Sequence, residues 1–112
     1  GHPPMNLLQG HFADGAFVSD GLRLALPFAV PPGPGTLGVR PEDVVLGGPI
    51  RGRVVVVEPH GRQTLVTVDA GGWTLKALAD LRPAPGSAVG LGVDPARLHL
   101  FDGAGRRLEA AR

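Results

Sequence analysis

Four histidines, ten acidic residues and a single lysine set the limits of the chemistry open to this chain. His2, His11, His60 and His99 lie nine, forty-nine and thirty-nine residues apart, whereas metal sites usually draw ligands from closely spaced pairs. Each is read as a surface or structural residue, His60 in a turn and His99 pointing away from Leu98 and Leu100. Glu42 and Asp43 form the one adjacent pair of carboxylates. Behind Pro41 they suit the first turn of a short helix, where proline fixes φ and acidic groups meet free amide hydrogens. A phosphate cradle needs glycines leading into a Lys-Ser/Thr helix start. The lone Lys76 sits inside a strand-like segment, and the prolines around Gly33 and Gly35 remove the amide donors such a loop uses. ATP hydrolysis by this chain alone is not expected, and neither a metal nor a cofactor is assigned to it.

The balance of charge removes further classes. A net charge of +1 over 112 residues gives no strong drive toward nucleic acid or an anionic membrane. The aromatic residues are Phe12, Phe17, Phe28, Phe101 and Trp73. The phenylalanines read as core, which leaves Trp73 as the one candidate for exposure and makes a poor base-stacking platform. Arg51 with Arg53, and Arg106 with Arg107, read as solvated faces or protected sheet edges; the alternative is the rim of a protein interface, where arginine is favoured. No cysteine is present, so neither disulfides nor thiolate metal sites enter. The run Leu22–Val30 is broken by Arg23 and Pro27 and falls short of the ~20 apolar residues a membrane-spanning helix requires. The opening Gly1-His2, without Met or a signal-peptide pattern, reads as the start of a piece of something larger or as a tag remnant.

Eighteen glycines and twelve prolines punctuate the chain so densely that no long helix is expected. Between them lie strand-like segments: Met5–Phe12, Ala16–Val18, Leu22–Phe28, Thr36–Arg40, Arg51–Glu58, Arg62–Val68, Trp73–Ala79, Val89–Val93 and Arg97–Phe101. Ser19-Asp20-Gly21 and Asp69-Ala70-Gly71-Gly72 read as turns. Pro31–Gly35 reads as a loop, and Val54–Val57 as a strand buried on both faces. Single helical turns are expected at Pro41–Asp43 and Asp94–Arg97. About eight short strands at such spacing predict an all-β antiparallel barrel or sandwich.

Four strings, in this order, carry a resemblance. Gly1-His2-Pro3-Pro4-Met5-Asn6 resembles the G-S-P-P-M-N junction that follows the nucleotide-binding domain of carbohydrate-type ABC importer ATPase subunits. Gly38-Val39-Arg40-Pro41-Glu42 is similar to their G-[IV]-R-P-E signature. Gly52 to Glu58, followed by Gly61, is similar to G-x-V-x-x-V-E-x-x-G, and His99-Leu100-Phe101-Asp102 to a closing H-L-F-D strand. The chain thus resembles the C-terminal regulatory domain of maltose- or glycerol-phosphate-type importers, a transport-associated OB, MOP-like barrel. The resemblance implies one domain over 1–112, with 1–8 as the linker from an upstream ATPase domain that would bind ATP and Mg. It implies a homodimer in the parent subunit, contact with the ATPase domain, indirect contact with transmembrane permease subunits, and in some members a regulatory protein. It also implies a place at the cytoplasmic face of a bacterial inner membrane. The candidate interface residues are Arg40, Pro41 and Glu42, with Glu58 and His60, where Pro59-His60 departs from the usual turn. Two other classes remain open: an oxyanion- or ligand-binding OB module, and a barrel that binds single-stranded nucleic acid.

Overall fold

Residues 3–108 are described by the computed structural model of the chain. Among them nine strands follow one another: β1 (Asn6–Ala13), β2 (Ala16–Ser19), β3 (Leu22–Ala25), β4 (Gly33–Val39), β5 (Val44–His60), β6 (Gln63–Ala70), β7 (Trp73–Ala79), β8 (Ala88–Val93) and β9 (His99–Asp102). The only helical segments among the described residues are two 3-10 turns, Pro41–Asp43 and Pro95–Arg97, both where proline was expected to start one. The strands form two antiparallel sheets, one in the order β3-β2-β1-β4-β9 and the other in the order β7-β6-β5-β8. The chain builds the first sheet, leaves through the Pro41–Asp43 turn to build the second, and returns as β9 beside β4. This is an all-β, OB-like architecture.

Alternation along the strands creates the core. Leu8, Phe12, Phe17, Leu37, Val39 and Leu100 face inward from the first sheet and meet Val44, Val54, Val66, Val68, Leu75 and Leu91 from the second. Each such side chain contributes about 1.5–3 kcal/mol when fully buried. Phe17 bridges the layers, with its ring 5.5 Å from Phe12 and 6.4 Å from Trp73. A polar seam lies beside this core. The Asn6 side chain, at the start of β1, donates from Nδ2 to the Val39 and Lys76 carbonyls at 3.1 and 2.9 Å. Its Oδ1 accepts from the Lys76 N–H at 2.9 Å.

Several expectations from the sequence need correction. Residues Gly33–Gly35 of the expected loop belong to β4, where Gly33, Pro34 and Gly35 pair with Phe12, His11 and Gly10. Pairing of β4 with β9 begins only at Gly35, so at Pro34 the strand has a partner on one side, a place proline tolerates. The Val54–Val57 run is not buried on both faces. Val54 is buried, but Val55 is 53% and Val56 42% exposed. A bulge between Val54 and Val56 throws one extra valine out of register. The strand expected over Leu22–Phe28 stops at Ala25, just before Leu26-Pro27. Asn6–Leu8 of the expected linker are the first residues of β1. His60 is half-buried at the end of β5 rather than in the turn, which falls at Gly61-Arg62.

Candidate interaction surface

The Pro41–Asp43 turn is held from below and on one side. Pro41 is among the fully buried residues, under 2% exposed, and its ring fixes the backbone as the chain leaves Arg40 in extended geometry. The Asp43 N–H donates to the Arg40 carbonyl at 2.9 Å. Asp43 Oδ1 then lies 3.4 Å from Arg97 Nη1 of the second 3-10 turn, and Arg97 Nε lies 3.8 Å from Asp94 Oδ2. Asp94 in turn accepts from the Ala96 N–H at 3.0 Å. An ion pair this exposed contributes only about 0–1 kcal/mol, so burial of Pro41 does most of the anchoring. The Arg40 and Glu42 side chains are exposed on this fixed base, and among the described residues neither side chain makes a hydrogen bond or ion pair.

The structure does not bring the other two candidates to this place. Glu58 and His60 lie near the far end of β5, where they oppose Leu65 and Gln63 of β6. Beside them is a mostly apolar groove of about 390 Å³ lined by Val57, Pro59, Arg82 and Pro83–Pro85. The five expected residues therefore define two surfaces at opposite ends of one strand. Asp43 and Arg97 are each legible as residues of a proline-started turn, but their pairing is not, because they are 54 residues apart. Asn6 carries a better signal, the chain's one asparagine, opening a strand directly after Pro-Pro-Met.

His99 lies on the outer face of the first sheet, opposite Gly38 of β4. Its Nδ1 is buried without a hydrogen-bond partner among the described residues. Burial holds the His99 pKa below its ordinary value, the Arg107 and Arg40 guanidinium groups push it the same way, and Asp43 opposes them. Since the unfolded chain binds this proton more readily than the folded one, stability rises with pH across this titration. It falls as pH drops below the ordinary histidine value of about 6.5. Thermal melts between pH 7 and pH 5 are expected to fall more steeply for the wild-type chain than for His99→Gln; equal slopes would remove His99 as the cause. Asp102 stays out of this window: the Arg106 N–H above all, helped by the Ala104 N–H and the Arg106 charge, lowers its pKa further below its ordinary acidic range.

The remaining side chains fall into place around these surfaces. Phe12 and Phe17 are core, and Phe28 packs partly against it. Phe101 lies under the Arg107 guanidinium at 5.5 Å, and Trp73 is half-buried against Phe17. Among the described residues no three His, Asp or Glu side chains gather as a metal site would require. His2 lies outside the described residues. No described helix is long and apolar enough to cross a membrane.

Comparison with known proteins bears on the same residues. The chain is 36% identical over 118 residues to the sulfoquinovosyl glycerol transport ATP-binding protein SmoE of Agrobacterium fabrum, covering 91% of this chain and 32% of that protein. It is 36% identical over 115 residues to the sn-glycerol-3-phosphate import ATP-binding protein UgpC of a Jannaschia species, covering 96% and 33%. It is 33% identical over 120 residues to the xylose/arabinose import ATP-binding protein XacK of Haloferax volcanii, covering 92% and 31%. The chain therefore spans about a third of the length of these curated relatives. Residues 37–101, from the inward-facing Leu37 of β4 to Phe101 of β9 and including the Arg40–Asp43 turn, match the TOBE domain family. With more than half its length inside that match and the two-sheet OB-like body to go with it, the chain belongs to the TOBE domain family.

Proposed function

We propose that this chain is the non-catalytic C-terminal module of an ATP-binding subunit of a bacterial ABC importer for sugars or related solutes, and that it holds two copies of that subunit together. The observation that carries the reading is the similarity over nearly the whole chain to about a third of each of three proteins named as transport or import ATP-binding proteins. In this reading ATP and Mg belong to the remainder of the subunit, which sits at the cytoplasmic face of the membrane and engages the permease subunits. Two ATPase domains must part after each turnover without drifting away from each other. A contact made by a separate, stiff body keeps their effective concentration high while they open and close.

The Arg40-Pro41-Glu42 segment supplies that contact. Its base is buried and its two charges are exposed without partners, an arrangement suited to the polar rim of an interface. In the complete subunit, Arg40→Ala is expected to raise the dimer dissociation constant about 5- to 10-fold, the size of a well-placed interfacial ion pair. Solute uptake per ATP hydrolysed should fall with it. Analytical ultracentrifugation and transport in reconstituted vesicles measure the two effects, and unchanged values in both would remove this segment from the interface.

A further inference from the structure

We propose that the cleft where the β2–β3 turn meets the β6–β7 turn is a binding site for a neutral polyhydroxylated small molecule, a monosaccharide or short polyol. The cleft encloses about 310 Å³ and is lined by Leu8, Gln9, Asp20, Gly72, Trp73 and Thr74 together with Leu7. This is within the range of small-ligand sites and large enough for one sugar ring. Its walls come from both sheets: β1 contributes Gln9, the β2–β3 turn Asp20, and β7 Trp73 and Thr74. The two turns touch. A Cβ built on Gly72 would lie 3.1 Å from Asp20 Cβ and 3.2 Å from Asp20 Oδ2, so the Asp20 side chain lies directly against the backbone of Gly72 at this rim.

The chemistry of the lining selects the ligand class. The Asp20 carboxylate, the Gln9 amide, the Thr74 hydroxyl and the Trp73 indole N–H make no hydrogen bond within the described residues. Together they offer acceptors and donors to vicinal hydroxyl groups, which act as both. The Trp73 ring, steadied by Phe17 at 6.4 Å, gives an apolar surface on which the C–H face of a sugar packs. No cation lines the cleft, and the Asp20 charge repels phosphate and carboxylate groups. Neutral polyols fit, whereas sugar phosphates do not. None of the residues assigned to the subunit contact takes part, so the two proposals stand or fall separately.

Trp73 is the only tryptophan and there is no tyrosine, so intrinsic fluorescence of the 112-residue chain reports directly on the cleft. D-glucose and sorbitol are expected to change the Trp73 emission saturably in the millimolar range, while glucose 6-phosphate leaves it unchanged. Gln9→Ala combined with Thr74→Val replaces two exposed side chains and is expected to weaken glucose binding about tenfold. Asp20→Asn tolerates the left-handed backbone at this position, φ 40°, and is expected to admit glucose 6-phosphate. The proposal is overturned by the absence of saturable emission change and of any shift in the Gly72 and Thr74 amide resonances up to about 100 mM sugar, far weaker than a millimolar site. It is equally overturned if the double variant binds glucose as tightly as the wild-type chain.

Discussion

Asn6→Ala is expected to lower the unfolding free energy by about 2–4 kcal/mol, the sum of the hydrogen bonds lost and the partly buried groups left unpaired. Its amide acts as a surrogate peptide group. Oδ1 accepts from the Lys76 N–H at 2.9 Å and Nδ2 donates to the Lys76 carbonyl at 2.9 Å, the pair of bonds one residue makes with its neighbour across an antiparallel ladder. The same Nδ2 reaches the Val39 carbonyl at 3.1 Å. Because β7 is the edge of the four-stranded sheet and β1 lies within the five-stranded one, a single side chain ties the two layers and covers part of an open edge. For a chain of this size the loss lowers Tm by roughly 10–15 °C. Asn6→Asp keeps the acceptor but turns an oxygen toward two carbonyls, and is expected to cost at least as much. Urea denaturation measures the loss, and amide exchange at Lys76 localises it. A change below about 0.5 kcal/mol, the size of an ordinary surface substitution, would contradict the assignment.

Gly90→Ala is expected to cost roughly 3 kcal/mol, at the upper end of what overpacking usually does. Between Leu46 and Ile50, which both pair with Leu91, β5 carries three extra residues, Gly47-Gly48-Pro49. These lie back against β8 so closely that a Cβ on Gly90 would overlap the Gly48 carbonyl oxygen, and one on Gly48 would overlap the backbone of Leu91 and Gly92. Backbone meets backbone, so no change of rotamer relieves the clash. Gly47 offers the contrast. It has open space around its Cβ direction but a φ of 101°, so Gly47→Ala is expected to cost only about 1–3 kcal/mol of conformational strain. Denaturation curves of the two variants, read side by side, test the packing directly. A Gly90→Ala chain as stable as the wild type would mean that the bulge does not rest on β8.

The strands were legible because glycine and proline cut the chain into segments too short for helices, and the two proline-started turns followed from the same chemistry. Local composition fails as a guide where a neighbouring strand decides the outcome. Pro31-Pro32-Gly33-Pro34-Gly35 looks like loop by composition, yet β1 offers a partner to its last three residues, and the Phe12 ring occupies the space a side chain at Gly35 would need. Four valines in a row imply two buried faces only if the register is regular, and the bulge at Val55 breaks it. Val44–Ile50 carries Gly47-Gly48-Pro49, a break signal by composition, but β5 runs through it because Leu91 pairs on both sides. At the proposed contact, Arg40, Pro41 and Glu42 were named from the sequence, but their support by Asp43 and Arg97 depends on two turns 54 residues apart. The cleft at Trp73 is of the same kind: Asp20 and Gly72 each read as turn residues, and only the packing of one turn on the other makes them a wall.

The reading of this body as a clasp between ATPase subunits is tested most directly by the concentration dependence of ATP hydrolysis in the complete subunit, with and without residues 6–108. Removal is expected to leave turnover intact at high subunit concentration and to shift the half-maximal concentration upward by about a hundredfold or more, the scale of a lost tether. Superimposable curves would contradict it.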